Sequence, residues 1–411
     1  MQSAHHCVKL IAIIGLSLGT TLYARPASAA PPDVIPGQYI VVFDDGVPDP
    51  VAMAHGLAAQ HGLALQHVYG EAIKGFAAVV PAARLALLQA APGVAYVAPD
   101  RVVSIEAQTL PTGIDRIDGD LSSAVSGNGS GAVDVDVAVI DTGIDTAHKD
   151  LSVAGGRNCS TGKPNNFKDG HGHGTHVAGT IGAKDDSVGV VGVAPGARLW
   201  AVRVLNNAGS GTTSSVICGI DWVAANAGTI EVANMSLGGG GSDDGNCGNS
   251  NNDPEHRAIC NAVARGVTIV VAAGNSAIDA ATFVPAAYDE VITVSALADF
   301  NGQPGGGAAA TCRSDVDDTF ANFSNFGADI DLIAPGACIY STWKGGGYAT
   351  SSGTSMSSPH AAGAAALYKA GNPGASPAQV KTALQSAGNT NWNSVDDPDG
   401  TQEKLVNVDT F

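Results

Sequence analysis

Short apolar runs alternate with small-residue or amphipathic stretches from about Ala107 to the end of the chain. The apolar runs, typical of strands covered on both faces, lie at 133–140, 199–204, 230–234, 267–272, 291–296 and 330–334. Helices are predicted between and after these strands at 173–181, 212–226, 255–265, 355–369 and 378–386. This alternation predicts an α/β domain with a doubly wound, mostly parallel sheet.

Residues 33 to about 106 follow a different pattern and contain no cysteine. Strands are predicted at 38–43, 65–69, 75–80 and 94–97, with a helix at 51–61. A second helix opens at Pro81, since proline is tolerated best at a helix start, and ends at Gly93. The order βαββαβ predicts a small α+β domain of the ferredoxin-like type.

The first thirty residues have the features of an export signal. Lys9 precedes the apolar run 10–18, and the small residues of a cleavage site follow at 27–29. A short membrane anchor is the alternative, but the run is shorter than the ~20 residues that a span needs. No later run reaches that length. We therefore expect a signal peptide over 1–29 and a secreted, soluble mature protein without a membrane partner.

Composition narrows the class of protein further. Apolar residues make up 45% of the chain and recur throughout it, which argues against disorder. The formal net charge of −18 disfavours phosphate, so nucleic acid is a poor candidate for a partner. Such acidity is usually a solubility feature, but it also leaves carboxylates free to hold a hard cation such as calcium.

Six cysteines remain once Cys7 is removed with the signal peptide. An even number in an exported chain indicates disulfides, and six cysteines allow 15 connectivities that sequence cannot distinguish. Cys247 with Cys260 is the most local pairing, across a loop rich in Asn, Gly and Asp. The remaining pairs are then expected to be Cys312 with Cys338 and Cys159 with Cys218.

Two polar segments sit where a predicted strand ends or a predicted helix begins. Asp141 follows the apolar run 133–140, at the edge where open α/β sheets place ligands, although an Asp there is often only a turn residue. His173 begins a small-residue helix, next to His171 and His176. These three histidines suggest a zinc site as an alternative, but no HExxH spacing supports it. A general base fits His173 better.

Two further segments supply an amide and a hydroxyl. Asn275 ends the apolar run 267–272 and can either cap a turn or donate to a carbonyl oxygen that gains negative charge. Ser355 opens an alanine-rich helix, in the positive field of the helix N-terminus. Because residue 357 is Ser rather than Gly, the GxSxG segment of α/β-hydrolase esterases is absent.

Together, the segments DTGI (141–144), HGTHVAG (173–179), AAGN (272–275) and GTSMSSPH (353–360) resemble the subtilase family of serine peptidases, that of subtilisin and proteinase K. The likeness covers nearly the whole chain, and the order Asp, His, Ser is the one known for subtilisin. It implies that Ser355 is the nucleophile, His173 the general base, Asp141 its orienting acid and Asn275 an oxyanion donor. His171, His176 and His360 are then interpreted as structural.

The resemblance also implies the substrate site and a maturation step. Its substrate-binding residues correspond to Ser236, Leu237, Gly238, Ala273 and Gly274. Nothing near Ser236 offers a fixed charge, and the resemblance implies broad endopeptidase cleavage of protein or peptide substrates, preferably after large apolar or aromatic residues. Residues 30–106 correspond to an inhibitory, chaperone-like propeptide that the peptidase, 107–411, removes itself near Glu106 or Ala107.

Structural calcium is the cofactor that the resemblance implies. Its ligands would be the side chains of Gln108, Asp150 and Asp186 and the carbonyl groups of Lys184, Val188 and Val190, an all-oxygen set. An ordinary solvated loop is the alternative. The segment 396–400 is a weaker candidate that is more typical of a turn.

Two other classes of function stay open at this point. A binding protein on an inactive peptidase scaffold requires a missing triad member, and none is missing. A metal-dependent hydrolase rests only on the histidine cluster. The resemblance favours a monomeric serine endopeptidase over both.

Overall fold

The computed structural model describes residues 34–101 and 108–411, which form two compact units, one on each side of the gap. The predicted signal peptide at 1–29 and the predicted processing region at Glu106 and Ala107 lie outside the described residues.

The first unit is an antiparallel sheet with two helices. Its strands are β1 (Val34–Phe43), β2 (Ala64–Tyr69), β3 (Gly75–Val79) and β4 (Val94–Arg101), and its helices are α1 (Pro50–His61) and α2 (Ala82–Gln89). The sheet order is β2-β3-β1-β4. Phe43, Phe76 and Leu88 form the centre of a separate small core. The observed order βαββαβ is the predicted one.

The second unit is built on one large sheet. Its strands are β5 (Asp136–Asp141), β6 (Val153–Asn158), β7 (Arg198–Arg203), β8 (Val232–Met235), β9 (Gly239–Gly240), β10 (Thr268–Ala272), β11 (Phe283–Val284), β12 (Ile292–Ala298), β13 (Thr319–Phe320), β14 (Leu332–Pro335), β15 (Ile339–Trp343) and β16 (Gly347–Ser351). The parallel order is β6-β7-β5-β8-β10-β12-β14, and β13 pairs antiparallel with β12. Strand β9 pairs with β11 and β15 with β16, both antiparallel.

Helices cover both faces of this sheet. They are α3 (Thr112–Arg116), α4 (His173–Gly182), α5 (Thr213–Ala225), α6 (Pro254–Ala264), α7 (Thr354–Gly371) and α8 (Pro377–Ala387). Side chains of β5 alternate between the layers: Val137 and Val139 pack in the cluster that contains α4 and α7, whereas Ala138 and Ile140 pack in the cluster that contains α5 and α6. The doubly wound fold is therefore confirmed.

Three disulfides tie loops of the second unit together. They join Cys159 to Cys218, Cys247 to Cys260 and Cys312 to Cys338, which are the pairings expected from the sequence. In residues 34–101 and 108–411, no helix has both the length and the apolar character that crossing a membrane requires.

Candidate active site

Asp141 and His173 form a hydrogen-bonded pair at the carboxyl edge of the large sheet. Asp141 is the last residue of β5 and is fully buried, and His173 is the first residue of α4. His173 Nδ1 lies 2.9 Å from each carboxylate oxygen of Asp141. Strand β5 lies between β7 and β8, where the chain changes the direction in which it adds strands, and such switch points are where open α/β sheets bind ligands.

A glycine and a second acid bring α4 this close to β5. A Cβ on Gly174 would lie 2.2 Å from Gly143 O and 3.1 Å from Asp141 Oδ1, so no larger residue fits there. Asp169 accepts hydrogen bonds from the backbone N–H groups of His171 and Gly172, each at 2.8 Å. Its other oxygen accepts from the N–H of Thr175 within α4. These contacts fix the start of the helix and hence the position of the imidazole.

The pKa of His173 is set by two opposing effects. Burial alone would lower it, since only 23% of the side chain is exposed. The charge and hydrogen bond of Asp141, with a smaller contribution from Asp169, outweigh burial and raise the pKa above 6.5. The imidazole can therefore accept a proton and hold it as a stabilised cation.

Ser355 and Asn275 face the same space in front of the sheet. Ser355 is the second residue of α7, whose N-terminus has no side-chain cap. Asn275 Oδ1 accepts from Thr354 N at 2.8 Å and from Thr354 Oγ1 at 3.1 Å, which fixes the orientation of the amide. A Cβ placed on Gly353 would lie 3.6 Å from Asn275 Nδ2 and 3.7 Å from Ser355 N. Both nitrogen atoms therefore lie next to one small volume.

The Ser355 hydroxyl does not donate to His173 in this structure. Among the described residues, Ser355 Oγ donates instead to Ser236 O at 3.4 Å, a long contact. The hydrogen bond between a catalytic hydroxyl and its general base is often long or absent without substrate and tightens only in the bound complex. The structure thus pairs Asp141 with His173 and brings Ser355 next to Asn275.

A cleft of about 620 Å³ extends from His173 between two backbone segments. One wall is formed by 208–213 and the other by 236–240, which includes the predicted residues Ser236, Leu237 and Gly238. The backbone at 238–240 is exposed, and an extended peptide can pair with such an edge. The predicted residues Ala273 and Gly274 follow β10 and do not line this cleft; Gly274 N donates to Thr354 Oγ1 beside the serine.

Two features of the cleft were missed by the sequence analysis. The segment 208–213 has no apolar pattern, and its only signal is a run of small residues after β7. The expectation that no fixed charge lies near Ser236 stays a prediction, but Glu255, in the first turn of α6, lines the cleft and was not identified from the sequence. Burial, followed by the charge of Asp253, raises the pKa of Glu255 to about 7.

Among the described residues, the three histidines interpreted as structural, His171, His176 and His360, do not group with other potential metal ligands. His176 Nε2 lies 3.0 Å from Ile339 O, and burial lowers the pKa of His176 to about 4. His360 is buried within α7 beside Met356 O, with a pKa similarly lowered by burial. His171 lines the cleft. Within the described part of the chain, no group of side chains close enough to share a metal includes any of these residues or His173.

The residues expected to hold calcium lie around Gln108 and Asp150. Gln108 Nε2 donates to the carbonyl oxygens of Lys184 (2.6 Å) and Val190 (3.2 Å), and Asp150 Oδ2 accepts from Val190 N. Gln108 Oε1 and Asp150 Oδ1 are buried and have no hydrogen-bond partner. Two buried oxygens without hydrogen-bond partners, next to other possible oxygen ligands, fit a calcium ion.

The rest of the expected set is less enclosed. Asp186 Oδ1 accepts from Val188 N at 2.8 Å, in an exposed turn. The ammonium of Lys184 donates to Lys149 O, so its charge is held away from the Lys184 carbonyl, which accepts from Gln108 Nε2. The side chain of Lys184 therefore does not conflict with a cation.

Both units match known protein families. Residues 133–403 match the subtilase family, and residues 38–106 match the peptidase inhibitor I9 family. The alkaline protease of Alkalihalobacillus alcalophilus is 40% identical over 308 residues, covering 74% of this chain and 72% of that protein. Subtilisin DY of Bacillus licheniformis is 41% identical over 283 residues, covering 68% of this chain and 92% of that protein.

A solved structure supports the same relationship. The crystal structure of a cold adapted subtilisin-like serine proteinase matches with a TM-score of 0.58 and 37% sequence identity. The match covers 73% of this chain and 98% of that protein. The chain therefore belongs to the subtilase family: it is a subtilisin-type serine peptidase with an inhibitory I9 propeptide domain.

Proposed function

We propose that the chain is a secreted endopeptidase in which Asp141, His173 and Ser355 form the catalytic triad and Asn275 completes the oxyanion hole. The Asp141–His173 pair carries this proposal, since a fully buried carboxylate hydrogen-bonded to Nδ1 leaves Nε2 as the basic atom of the ring.

The reaction proceeds through an acyl-enzyme. His173 Nε2 accepts the proton of Ser355 Oγ as that oxygen attacks the scissile carbonyl carbon. The carbonyl oxygen becomes negative between Asn275 Nδ2 and Ser355 N, and the imidazolium is stabilised by Asp141. His173 then donates its proton to the leaving amine, and a water molecule repeats the sequence to release the acid product.

Covalent labelling tests the assignment of the nucleophile. A serine-directed phosphonylating reagent should modify Ser355, and activity should fall in proportion to the fraction of Ser355 that is labelled. Ser355→Ala should take up no reagent, Ser351→Ala in the nearby β16 should be labelled like the parent, and His173→Ala should be labelled far more slowly. Peptide mapping that finds the modification at another residue would reject the assignment.

The shape of the cleft supports cleavage of extended peptides with broad specificity. Two largely exposed backbone segments, 208–213 and 238–240, can provide hydrogen bonds that do not depend on the substrate side chain. We propose a preference for large apolar or aromatic residues before the scissile bond. We further propose that the backbone of Ala273 and Gly274, outside the cleft described above, contributes to binding the side chain of that residue. A peptide library digested by the mature enzyme tests this preference.

The propeptide is proposed to inhibit the peptidase and to be removed by it, with domain limits of 30–106 and 107–411. Parallel sheets fold slowly, which gives a physical reason for a folding template. Ser355→Ala should then accumulate as the unprocessed chain, while the parent sheds its first unit. If the variant still processes itself, the proposal of self-cleavage fails.

Calcium is proposed as a structural ion held by Gln108, Asp150 and Asp186 and by the carbonyl groups of Lys184, Val188 and Val190. When bound, it would neutralise the buried carboxylate and join the segment 184–190 to the start of the second unit. We further propose that the mature enzyme is an extracellular monomer whose partners are protein substrates and its own propeptide.

A further inference from the structure

The C-terminal segment 389–405 holds three carboxyl groups against one another. Oxygen atoms of Asp397, Asp399 and Glu403 lie within 4.8 Å of one another. An antiparallel bridge between Asn389 and Leu405 closes the segment at its base. Trp392 Nε1 donates to Glu403 O at 3.0 Å inside it. The cluster is therefore held in place by hydrogen bonds of the surrounding backbone.

Two of these carboxyl groups are buried and keep oxygens without donors, although Asp397 Oδ1 accepts from Asp399 N at 3.4 Å. The exposed fractions of Asp397 and Glu403 are 8% and 6%. Asp397 Oδ2 and both carboxyl oxygens of Glu403 have no hydrogen-bond partner. No ion pair found in residues 34–101 and 108–411 involves them. Asp399 is exposed, so the cluster is accessible from solvent.

Buried carboxylates in mutual contact require a compensating positive charge or a proton. In the absence of a cation, burial and the neighbouring Asp397 raise the pKa of Glu403 to about 8. The competing explanation is therefore a proton shared between Asp397 and Glu403. The two explanations predict different results when Glu403 is replaced by Gln. This change removes the charge that a cation needs, but the new amide can still donate a hydrogen bond, as a protonated acid does.

The donor set favours calcium over other cations. All the available atoms are carboxylate oxygens on closely spaced residues of one loop, and a glutamate can bind calcium through both oxygens. Zinc sites use histidine or cysteine, and neither contributes to this cluster. We propose that Asp397, Asp399 and Glu403 form a second calcium site, distinct from the one proposed around Gln108 and Asp150.

The position of the cluster indicates what the ion would stabilise. Just after Glu403, Lys404 O accepts from Ile333 N and Val406 N donates to Ile333 O, each at 3.0 Å. The chain therefore joins the edge of the large sheet at β14 immediately beyond the cluster. A calcium ion there would hold the C-terminal segment on the sheet.

Counting bound ions tests the proposal. The mature enzyme, blocked at its active serine to prevent self-digestion, should be equilibrated with calcium and its bound calcium measured per chain. Glu403→Gln should bind one ion fewer than the parent, and Asp396→Asn, the matched change at an exposed neighbour, should bind as many as the parent. Asp150→Asn should lose a different ion, so that failure of the first site is recognised separately.

Terbium gives a second readout that locates the ion. Terbium replaces calcium and luminesces when a nearby tryptophan is excited, and Trp392 lies beside Glu403. Glu403→Gln should lose the tryptophan-excited emission, whereas Asp150→Asn should keep it. An unchanged ion count in Glu403→Gln, together with unchanged thermal stability in calcium, would mean that the cluster shares a proton and would overturn the proposal.

Discussion

The buried carboxylates of the active site and the buried carboxylates of the two proposed cation sites differ in their hydrogen-bond partners. Asp141 is paired with His173 and with Thr142 N, and each oxygen of Asp169 accepts from backbone or hydroxyl donors. Asp150, Asp397 and Glu403 each keep at least one buried oxygen without a donor. We conclude that fully paired acids position the catalytic groups, whereas acids left unpaired mark places for a ligand.

Among single changes that test this comparison, the largest effect is expected from removing the charge of a fully paired acid. Asp141→Asn should lower kcat by about 10⁴- to 10⁵-fold, the scale known for the triad aspartate of subtilisin. It should also move the acid limb of the kcat/KM profile to lower pH. The base must be neutral, and without the carboxylate the burial of His173 is no longer outweighed, so its pKa falls.

A pH profile of Asp141→Asn measured with a synthetic peptide substrate checks both effects. Asp145→Asn, a change of another buried acid that touches neither His173 nor Ser355, serves as a control for folding. An unshifted acid limb would show that Asp141 does not set the pKa of the base.

Asn275 extends the comparison to an amide. Thr354 donates two hydrogen bonds to its Oδ1, and its Nδ2 is the proposed donor to the oxyanion. Asn275→Leu should lower kcat by about 10²- to 10³-fold with little change in KM, the scale known for this donor in subtilisin. Equal losses in kcat and in affinity for ground-state analogues would instead indicate a substrate-binding role.

Removing calcium tests the unpaired acids. In the serine-blocked mature enzyme, a chelator should lower stability by about 3 to 4 kcal/mol for each ion removed, relative to calcium at 100 to 1,000 times its Kd. Turnover measured in the cold, before unfolding occurs, should change far less. Thermal unfolding with and without chelator gives the result, and equal stability in both conditions would exclude a structural ion.

The smallest expected effect concerns Glu255, a buried acid on the cleft wall. It is neutral below its pKa of about 7 and anionic above it, so it should favour substrates with a basic residue at alkaline pH only. At pH 9, Glu255→Gln should raise KM for such substrates by about fivefold, the factor given by ~1 kcal/mol. The control Asp221→Asn, exposed on α5, should leave KM unchanged.

The buried parallel strands and their helices could be predicted because their apolar runs are long and bounded by glycine or polar residues. The hairpin of β15 and β16 was not predicted, since Lys344, Gly345 and Gly346 interrupt its pattern and polar residues alternate within it. Strand β6 was missed because Gly155 and Gly156 sit beside Trp200 and Ala201, a fit that depends on the partner strand.

The candidate site also contains residues that could be predicted from the sequence and residues that could not. Asp141, His173 and Ser355 lie at the end of a strand or in the first turn of a helix, and Asn275 follows a strand closely, so their positions could be predicted from local pattern together with the family's motifs. Glu255 and the segment 208–213 reach the cleft only through tertiary packing. The cluster at 397–403 resembles a turn in sequence, and its missing donors are visible only once the chain is folded.

The central claim is that carboxylate, imidazole and hydroxyl act as one unit, and a double-mutant cycle tests it most directly. Once their propeptides have been removed by added parent enzyme that is then inactivated, His173→Ala and Ser355→Ala should each lower kcat by about 10⁶-fold, and the double variant should be no worse than either within about tenfold. If the two losses multiplied, His173 and Ser355 would act independently, and the proposed triad would be contradicted.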